Sequence, residues 1–134
     1  VSAEQRKLCD DMLQAVGDVG WVDDEGLIDA VTATSGSGPA YVFLLIECLA
    51  QAGQAAGLSA EMAMQLAGAT VSGAGELARQ SEDDAATLRK NVTSPGGTTA
   101  AALEVLMADD GLQQLMTRAV AAAADRSREL AKLA

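Results

Sequence analysis

The chain is organised around residues 91–99, which read Asn91-Val92-Thr93-Ser94-Pro95-Gly96-Gly97-Thr98-Thr99 and lead into a helical run at 100–107. Pro95 fixes its own φ, and the two glycines that follow reach dihedral angles that other residues avoid. The pattern therefore predicts a tight turn that ends at a helix N-terminus. Because the first amide groups of a helix lack intrahelical partners and lie at the positive end of its dipole, such a turn can bind an anion.

Three hydroxyl groups accompany these amides, on Ser94, Thr98 and Thr99. Each hydroxyl can both donate and accept a hydrogen bond. A Pro-Gly-Gly turn followed by a threonine N-cap is also an ordinary way to begin a helix. The residues of the turn alone leave both interpretations open, a binding site and a plain helix start.

The composition favours a nearly all-α fold. The chain has 134 residues, enough for one domain with a core. Hydrophobic residues make up 49% of it and aromatic residues only 2%, and alanine and glycine supply much of the apolar content. Small side chains allow helices to pack closely, whereas a β-sandwich or barrel would need more aromatic and β-branched residues.

The charge of the chain excludes several classes of function. Its formal net charge is -10, which argues against nucleic acid and anionic membranes as partners. An anionic ligand would be repelled at long range, so a site for one must depend on local amide groups. The absence of histidine removes histidine-based metal sites and imidazole acid–base catalysis, and we predict no metal site.

The cysteines and the hydropathy pattern indicate a cytoplasmic protein. Cys9 and Cys48 are far apart, and each lies in an apolar helical pattern that is typical of reduced core cysteines. We find no leader-like segment and no apolar run of about 18 residues. We therefore expect neither export nor a membrane span.

Residues 1–24 have the pattern of a different kind of domain. Ser2 and Gln5 have the spacing of a capping box and begin a helix that we expect to reach Val16. Residues 19–22, Val-Gly-Trp-Val, then predict one short strand, which needs neighbouring strands for its backbone groups. A helix and a lone strand ahead of many helices are typical of the tail of an α/β domain. We therefore place a boundary after residue 24 and a helical domain at 25–134.

Helices account for the rest of the chain. The run Ser-Gly-Ser-Gly-Pro at 35–39 predicts a kinked or broken helix rather than a phosphate loop. The helix at 40–56 is apolar on every face, which predicts burial on every face. The next helix, capped by Ser59, has interior glycines that persist only where another backbone lies close, so we expect a tight helix or subunit contact there. A final apolar stripe after residue 111 indicates core or dimer interface.

These motifs together resemble one known family. The segments that carry the likeness are Asp29-Ala30-Val31-Thr32, Ser35-Gly36-Ser37-Gly38-Pro39-Ala40-Tyr41, the turn at 91–99, and Arg126-Ser127-Arg128-Glu129-Leu130. Their order and spacing are similar to those of the C-terminal half of pyrroline-5-carboxylate reductase. Residues 88–106 look like the signature of that family.

The resemblance implies an enzyme that reduces the ring imine of 1-pyrroline-5-carboxylate to L-proline with NADPH or NADH, the last step of proline biosynthesis. It implies C-terminal helices that interlock with a second subunit in a homodimer, and it leaves open the family's larger rings of dimers. The family's Gly-rich cofactor loop belongs to an N-terminal Rossmann domain. This chain has no Gly-x-Gly-x-x-Gly after a strand, so residues 1–24 would be the last helix and strand of that domain, and the chain alone would be inactive.

Family roles carry over to the turn residue by residue. The positions that match those holding the substrate carboxylate are Ser94 and the amides of Gly97, Thr98 and Thr99. Thr99 also matches the hydroxyl near the ring nitrogen and is the expected catalytic residue. A threonine hydroxyl is too weak an acid to protonate unaided, so it would orient the imine or relay a proton through water. Asn91 and Val92 match positions on the cofactor side of the pocket.

Two other interpretations remain. One is a non-catalytic helical oligomerisation module, favoured by the small-sided, glycine-rich helices. The other is a cofactor-linked dehydrogenase of the 6-phosphogluconate or hydroxyisobutyrate type. Those enzymes use a catalytic lysine within a helix, whereas the lysines here lie at helix ends or in the leading segment: Lys7, Lys90 and Lys132.

Overall fold

In the computed structural model, residues 1–133 form helices and connecting turns, with no β-strand among them. The helices are α1 (Ala3–Leu13), α2 (Ile28–Val31), α3 (Gly38–Ala55), α4 (Ala60–Gln80), α5 (Ala85–Asn91), α6 (Thr98–Leu106) and α7 (Leu112–Ala131). A 3₁₀ turn at Glu25–Leu27 precedes α2, and a π-helical turn at Thr32–Gly36 joins α2 to α3. The all-α class expected from the composition is confirmed.

Short polar side chains explain where several helices begin. The Ser2 hydroxyl accepts a hydrogen bond from the Gln5 amide at 3.2 Å, and the Gln5 side chain accepts one from the Ser2 amide at 2.9 Å. This capping box begins α1 as predicted. Ser59 and Asp84 cap α4 and α5 through their side-chain oxygens.

The strand predicted at 19–22 is not formed, and these residues have no regular structure. A strand needs a second strand to pair with, and the described part of the chain provides none. The segment instead lies against α1 through Trp21. The indole N–H donates to the Asp10 carboxylate at 2.7 Å, and the Arg6 guanidinium lies 4.5 Å from the ring centroid. The assignment of residues 1–24 to a separate domain stays a prediction.

Helices α3 and α4 pack closely because their contact residues are small. Ala50, Ala63 and Ala67 are at most 2% exposed and form the centre of this contact. Gly53 on α3 allows the approach, since a Cβ there would lie 3.4 Å from the Cβ of Ala63. Within residues 1–133, α4 therefore has a close helix contact at Ala63 and Ala67, whereas the interior glycines for which the contact was expected have no neighbour within 4 Å of an added Cβ: Gly68, Gly73 and Gly75.

Helix α7 returns to the beginning of the helical region and packs on α2 and the π turn. Ala33 in the π turn and Ala124 on α7 are buried in this contact. The Ser127 hydroxyl donates to the Asp29 carboxylate at 2.5 Å, joining positions 98 residues apart. Both packing centres of the chain thus consist of alanines.

The large apolar side chains remain exposed within one chain. On α3, Phe43 is 63% exposed and Leu44 57%. Burial on every face is wrong for residues 1–133, because the elements that pack substantially on α3 among them are α4 and the π turn. The accessible surface is 10514 Å², against roughly 6,600 Å² for a compact monomer of this mass. Even so, none of the helices in residues 1–133 combines the length and hydropathy of a membrane span.

The two cysteines differ from the prediction in one respect. Cys9 and Cys48 are free thiols, but both lie on the exposed surface of the chain rather than in a core. The reason is the same as for α3: the only tightly packed positions in the described chain are alanines.

Candidate functional site

The turn at 91–99 is positioned by the end of α5. Arg89 and Lys90 lie in the last turn of this helix, where cations interact favourably with the negative end of the dipole. Thr93 then closes the helix, because its hydroxyl donates to the Arg89 carbonyl at 2.6 Å and its amide to the Lys90 carbonyl at 3.0 Å. The backbone therefore leaves α5 in a defined direction.

Residues 94–97 form the tight turn that the sequence predicts. The Gly97 amide donates to the Ser94 carbonyl at 3.1 Å. Gly96 has a φ of +68°, and Pro95 precedes it. Proline at the second position and a positive φ at the third are the pattern of a type II turn, which explains why glycine is needed at position 96.

The Gly97 amide has a partner within the turn that the sequence analysis did not anticipate. This amide was expected to hold the ligand carboxylate, but it belongs to the fourth residue of the turn and already donates to Ser94. Gly97 has another effect at the site. A Cβ built on it would overlap the Ser94 hydroxyl oxygen. The missing side chain therefore leaves room for that hydroxyl directly at the start of α6.

The N-terminus of α6 presents open amide groups. Gly97 is the N-cap, and no side chain caps the helix. The bond from the Ala101 amide to the Gly97 carbonyl, 3.2 Å long, begins the helical ladder. The amides of Thr98 and Thr99 therefore have no acceptor within α6. With the neighbouring Ser94 hydroxyl and the helix dipole, they form an arrangement that suits an anion such as a carboxylate.

The predicted site residues are accessible to a ligand. Ser94, Thr98 and Thr99 are exposed, and Gly97 is half-buried. Asn91 and Val92 are exposed as well, at the α5 end of the turn. The structure thus puts the residues predicted for the carboxylate at one end of the turn and those predicted for the cofactor side at the other.

A shallow depression of about 460 Å³ is lined by residues of α5, Thr93 and Leu103 of α6. Its charged lining residues are Asp84, Arg89 and Lys90. Hydrogen bonds from the backbone and side chain of Thr87 lower the pKa of Asp84, so this carboxylate is ionised at neutral pH. Two cations against one carboxylate leave the surroundings of the turn locally positive in a strongly acidic chain.

The segment that carries the site, α5 to α6, is not supported by the rest of the chain. Neither helix packs substantially on another helix among residues 1–133. Val105, Leu106 and Met107 at the end of α6 are between 49% and 72% exposed. Apolar side chains grouped in this way indicate a surface that another polypeptide covers.

Sequence analysis missed two polar contacts, one at the site and one at the junction of α2 and α3. The first is the closure of α5 by Thr93, for which a signal exists: threonine often bonds to the carbonyl four residues before it. The second is a hydrogen bond of 3.0 Å from the Tyr41 hydroxyl to the Ala33 carbonyl. It spans the π turn, and no spacing rule would have indicated it.

Known proteins similar to this chain agree with one another. A family model described as pyrroline-5-carboxylate reductase dimerisation matches residues 25–130. The pyrroline-5-carboxylate reductase of Pseudomonas aeruginosa is 49% identical over 132 residues, which cover 98% of this chain and 48% of that protein. The enzyme of that name from Pisum sativum is 44% identical, over 95% of this chain and 46% of the relative.

Solved structures show the same similarity. A pyrroline-5-carboxylate reductase from Coxiella burnetii superposes with a TM-score of 0.90 at 43% identity, over 97% of this chain and 48% of that one. A pyrroline carboxylate reductase from Plasmodium falciparum, solved with NADP bound, gives a TM-score of 0.79 at 35% identity, over 96% of this chain and 48% of that one. The chain spans about half the length of the relatives it matches. It belongs to the pyrroline-5-carboxylate reductase family, in the region that the dimerisation model describes.

Proposed function

We propose that this chain is the substrate-binding and dimerisation part of a pyrroline-5-carboxylate reductase, which reduces 1-pyrroline-5-carboxylate to L-proline with NADPH or NADH. Family membership supports this proposal. The observation that carries it is the uncapped N-terminus of α6, where the amides of Thr98 and Thr99 lie beside the Ser94 hydroxyl. The substrate has one carboxylate and one ring imine, so its site needs an anion-binding group with a polar group next to it.

In this proposal the carboxylate lies on the α6 N-terminus. The Thr98 and Thr99 amides donate to its oxygens, and the Ser94 hydroxyl adds a third donor. Gly97 contributes space rather than its amide, because that amide is bonded within the turn. Donors that are fixed by a helix and a turn need little reorganisation when the ligand binds, and this favours precise positioning of the bound ligand.

Thr99 is the residue that we propose for the reaction itself. Reduction adds a hydride to the imine carbon and leaves a proton on the ring nitrogen, and the nicotinamide cofactor supplies the hydride when bound. Thr99 lies in the first turn of α6, and its own amide is one of the two that would hold the carboxylate. Its hydroxyl would orient the ring nitrogen or pass a proton from water, since it is too weak an acid to protonate alone. Asn91 and Val92 would line the cofactor side.

The cofactor itself would be held mainly by another domain. We propose that residues 1–24 belong with a nucleotide-binding domain and residues 25–134 form the helical domain. The relative from Plasmodium falciparum was solved with NADP bound, which supports a pyridine nucleotide. No Gly-x-Gly-x-x-Gly follows a strand in this sequence, so its residues offer no Gly-rich cradle for the nucleotide phosphates.

We further propose a homodimer, with rings of dimers as the family's larger assembly, and a cytoplasmic location. The exposed surface supports the dimer, since it exceeds that of a compact monomer by about 4,000 Å². On α4, a Cβ added at Gly68, Gly73 or Gly75 would meet nothing within 4 Å. Interior glycines weaken a helix by about 1 kcal/mol each relative to alanine, and a second copy that packs closely on this face would offset that cost. Free, unpaired thiols support the cytoplasm.

The carboxylate site can be tested with the reaction product and an analogue. L-Proline should shift the backbone amide resonances of Thr98 and Thr99 in an NMR titration, and pyrrolidine, which lacks the carboxylate, should not. Ser94→Ala should weaken proline binding about tenfold or more, while Thr117→Val, an exposed threonine on α7, should leave it unchanged. If both ligands shift these amides equally, or neither does, the proposed site is wrong.

Measuring reductase turnover distinguishes the proposed enzyme from a non-catalytic helical oligomerisation module. In a protein that contains both this helical region and the nucleotide-binding domain, Thr99→Val should lower kcat by about 100-fold or more while proline still binds. If the corresponding serine and threonine of a full-length relative can be replaced without lowering its turnover, the non-catalytic module is supported instead.

A further inference from the structure

The junction of α2 and α3 changes its hydrogen-bond register within one turn. At the π turn, Thr32–Gly36, the Ser37 amide donates to the Thr32 carbonyl at 2.8 Å, five residues back. In an α-helix the Ser37 amide would instead donate to the Ala33 carbonyl, four residues back. The Ala33 carbonyl is thereby left without its α-helical donor. The turn inserts one extra residue between the two helices.

Pro39 explains why the helix cannot continue undisturbed. It lies in the first turn of α3 and has no amide proton, and in a continuous α-helix its ring would clash with the carbonyl of Ser35. A simple kink or a frayed turn would relieve that clash equally well. The proline therefore accounts for a disturbance but does not select a π turn.

We infer that Tyr41 selects and fixes the π register. Its hydroxyl donates to the Ala33 carbonyl at 3.0 Å, the group that the register change leaves without a donor. Ala33 is 0% exposed beneath α7, so water cannot take over this role and an unpaired carbonyl there would be costly. Long side chains in a helix point towards its N-terminus, which lets Tyr41 reach back across the junction.

The register matters because it sets how α2 is turned relative to α3. One residue of an α-helix corresponds to a rotation of about 100° and a rise of about 1.5 Å. Val31 and Ser35 line a cleft of about 490 Å³ together with residues 16–22, and Asp29 on α2 bonds to α7. If the π turn reverted to the α-helical register, α2 would rotate relative to α3, and Asp29, Val31 and Ser35 would leave their present positions. Tyr41 is therefore a positioning residue for this wall of the cleft, and this role does not depend on the proposed function.

Tyr41→Phe tests the inference in the assembled protein. Amide hydrogen exchange at Gly36 and Ser37 should become about tenfold faster, because removing the hydroxyl leaves the Ala33 carbonyl unpaired and favours opening of the turn. Thr117→Val is the matched control: its hydroxyl donates to the Gln113 carbonyl at 2.8 Å, but that carbonyl lies inside α7 and keeps its amide donor. Unchanged exchange at Gly36 and Ser37 in Tyr41→Phe would overturn the inference.

Pro39→Ala shows whether the proline or the Tyr41 hydrogen bond sets the π register, and it does so even if Tyr41→Phe fails to fold. The alanine restores the missing amide proton and removes the ring, so the chain is free to return to a continuous α-helix. If Tyr41 fixes the register, the π turn persists in this variant and the bond from the Ser37 amide to Thr32 is kept. If the variant instead forms an unbroken α-helix, the proline sets the register and the inference fails.

Discussion

Replacing Gly97 with alanine should weaken carboxylate binding through the Ser94 hydroxyl and not through the backbone. Gly97 has φ −81° and ψ 174°, which alanine adopts without strain. The added Cβ would overlap the Ser94 hydroxyl oxygen and lie 3.2 Å from the Ser94 carbonyl oxygen. The serine side chain must therefore rotate away from the start of α6, and the site loses one of its donors.

The size of the effect follows from the bond that is lost. A hydrogen bond to a charged group contributes about 1.5–3 kcal/mol, so Gly97→Ala should weaken binding roughly 10- to 150-fold. Ser94→Ala removes the same donor and should cost a similar amount. The double variant should be little worse than either single one, which gives a coupling energy about as large as each single effect.

The assay is calorimetric titration of L-proline into the four proteins of this cycle. Gly96→Ala is the control, because its φ of +68° is unfavourable for alanine but a Cβ there meets nothing within 4 Å. It should lower the free energy of unfolding by about 1–2 kcal/mol and leave the Ser94 hydroxyl in place, so binding to the folded protein is retained. Additive losses in Ser94→Ala and Gly97→Ala would refute the reasoning, since the glycine would then act independently of the hydroxyl.

Three further outcomes follow from the structure. The thermal unfolding midpoint should rise with protein concentration, because association stabilises a chain with so much exposed apolar surface; a midpoint that is constant over a hundredfold range would contradict a dimer. Hydrogen bonds from Thr87 lower the pKa of Asp84 below its ordinary 3.8, so the cap contributes fully above about pH 4 and is lost as the pH falls through the lowered value. An NMR titration of the Thr87 amide with a midpoint at or above 3.8 would disprove this. Ala67→Leu should lower the free energy of unfolding by about 1–3 kcal/mol by overpacking the contact of α3 and α4, measured by urea unfolding against Ala78→Leu on the exposed side of α4; equal effects of the two substitutions would contradict the packing.

Local features of the fold could be predicted from the sequence because their causes lie within a few residues. The capping box at Ser2 and the cap at Ser59 form as their spacing indicates. The proline and glycines at 35–39 and at 94–97 break helices where expected, and α6 begins where the second of these turns ends. In each case one backbone restriction or one side-chain hydrogen bond decides the outcome.

Features that depend on packing partners far away in the sequence could not be predicted from local sequence patterns. Residues 19–22 have strand-forming side chains, but pairing requires a second strand that the described chain lacks. Burial of α3 on every face is wrong for residues 1–133, because α4 and the π turn cover only part of its apolar surface. The bond of the Gly97 amide was not anticipated, because the same turn that exposes the Thr98 and Thr99 amides takes the amide of its own fourth residue as a donor to Ser94.

An acidic chain can bind a carboxylate because the repulsion by its net charge and the attraction by the helix amides act over different distances. The net charge of -10 repels an anion at long range, but at physiological ionic strength this repulsion is screened beyond about 8 Å. At the site itself the ligand meets the amides of α6, and Arg89 and Lys90 lie on the helix that precedes the turn, while the Asp84 carboxylate accepts a hydrogen bond from the Thr87 amide. Helix amides carry no net charge, so they attract only a ligand that is already in contact and well oriented. Binding of a small carboxylate therefore rests on donors placed by one turn, in which Gly96 favours the backbone conformation and Gly97 leaves room for the Ser94 hydroxyl.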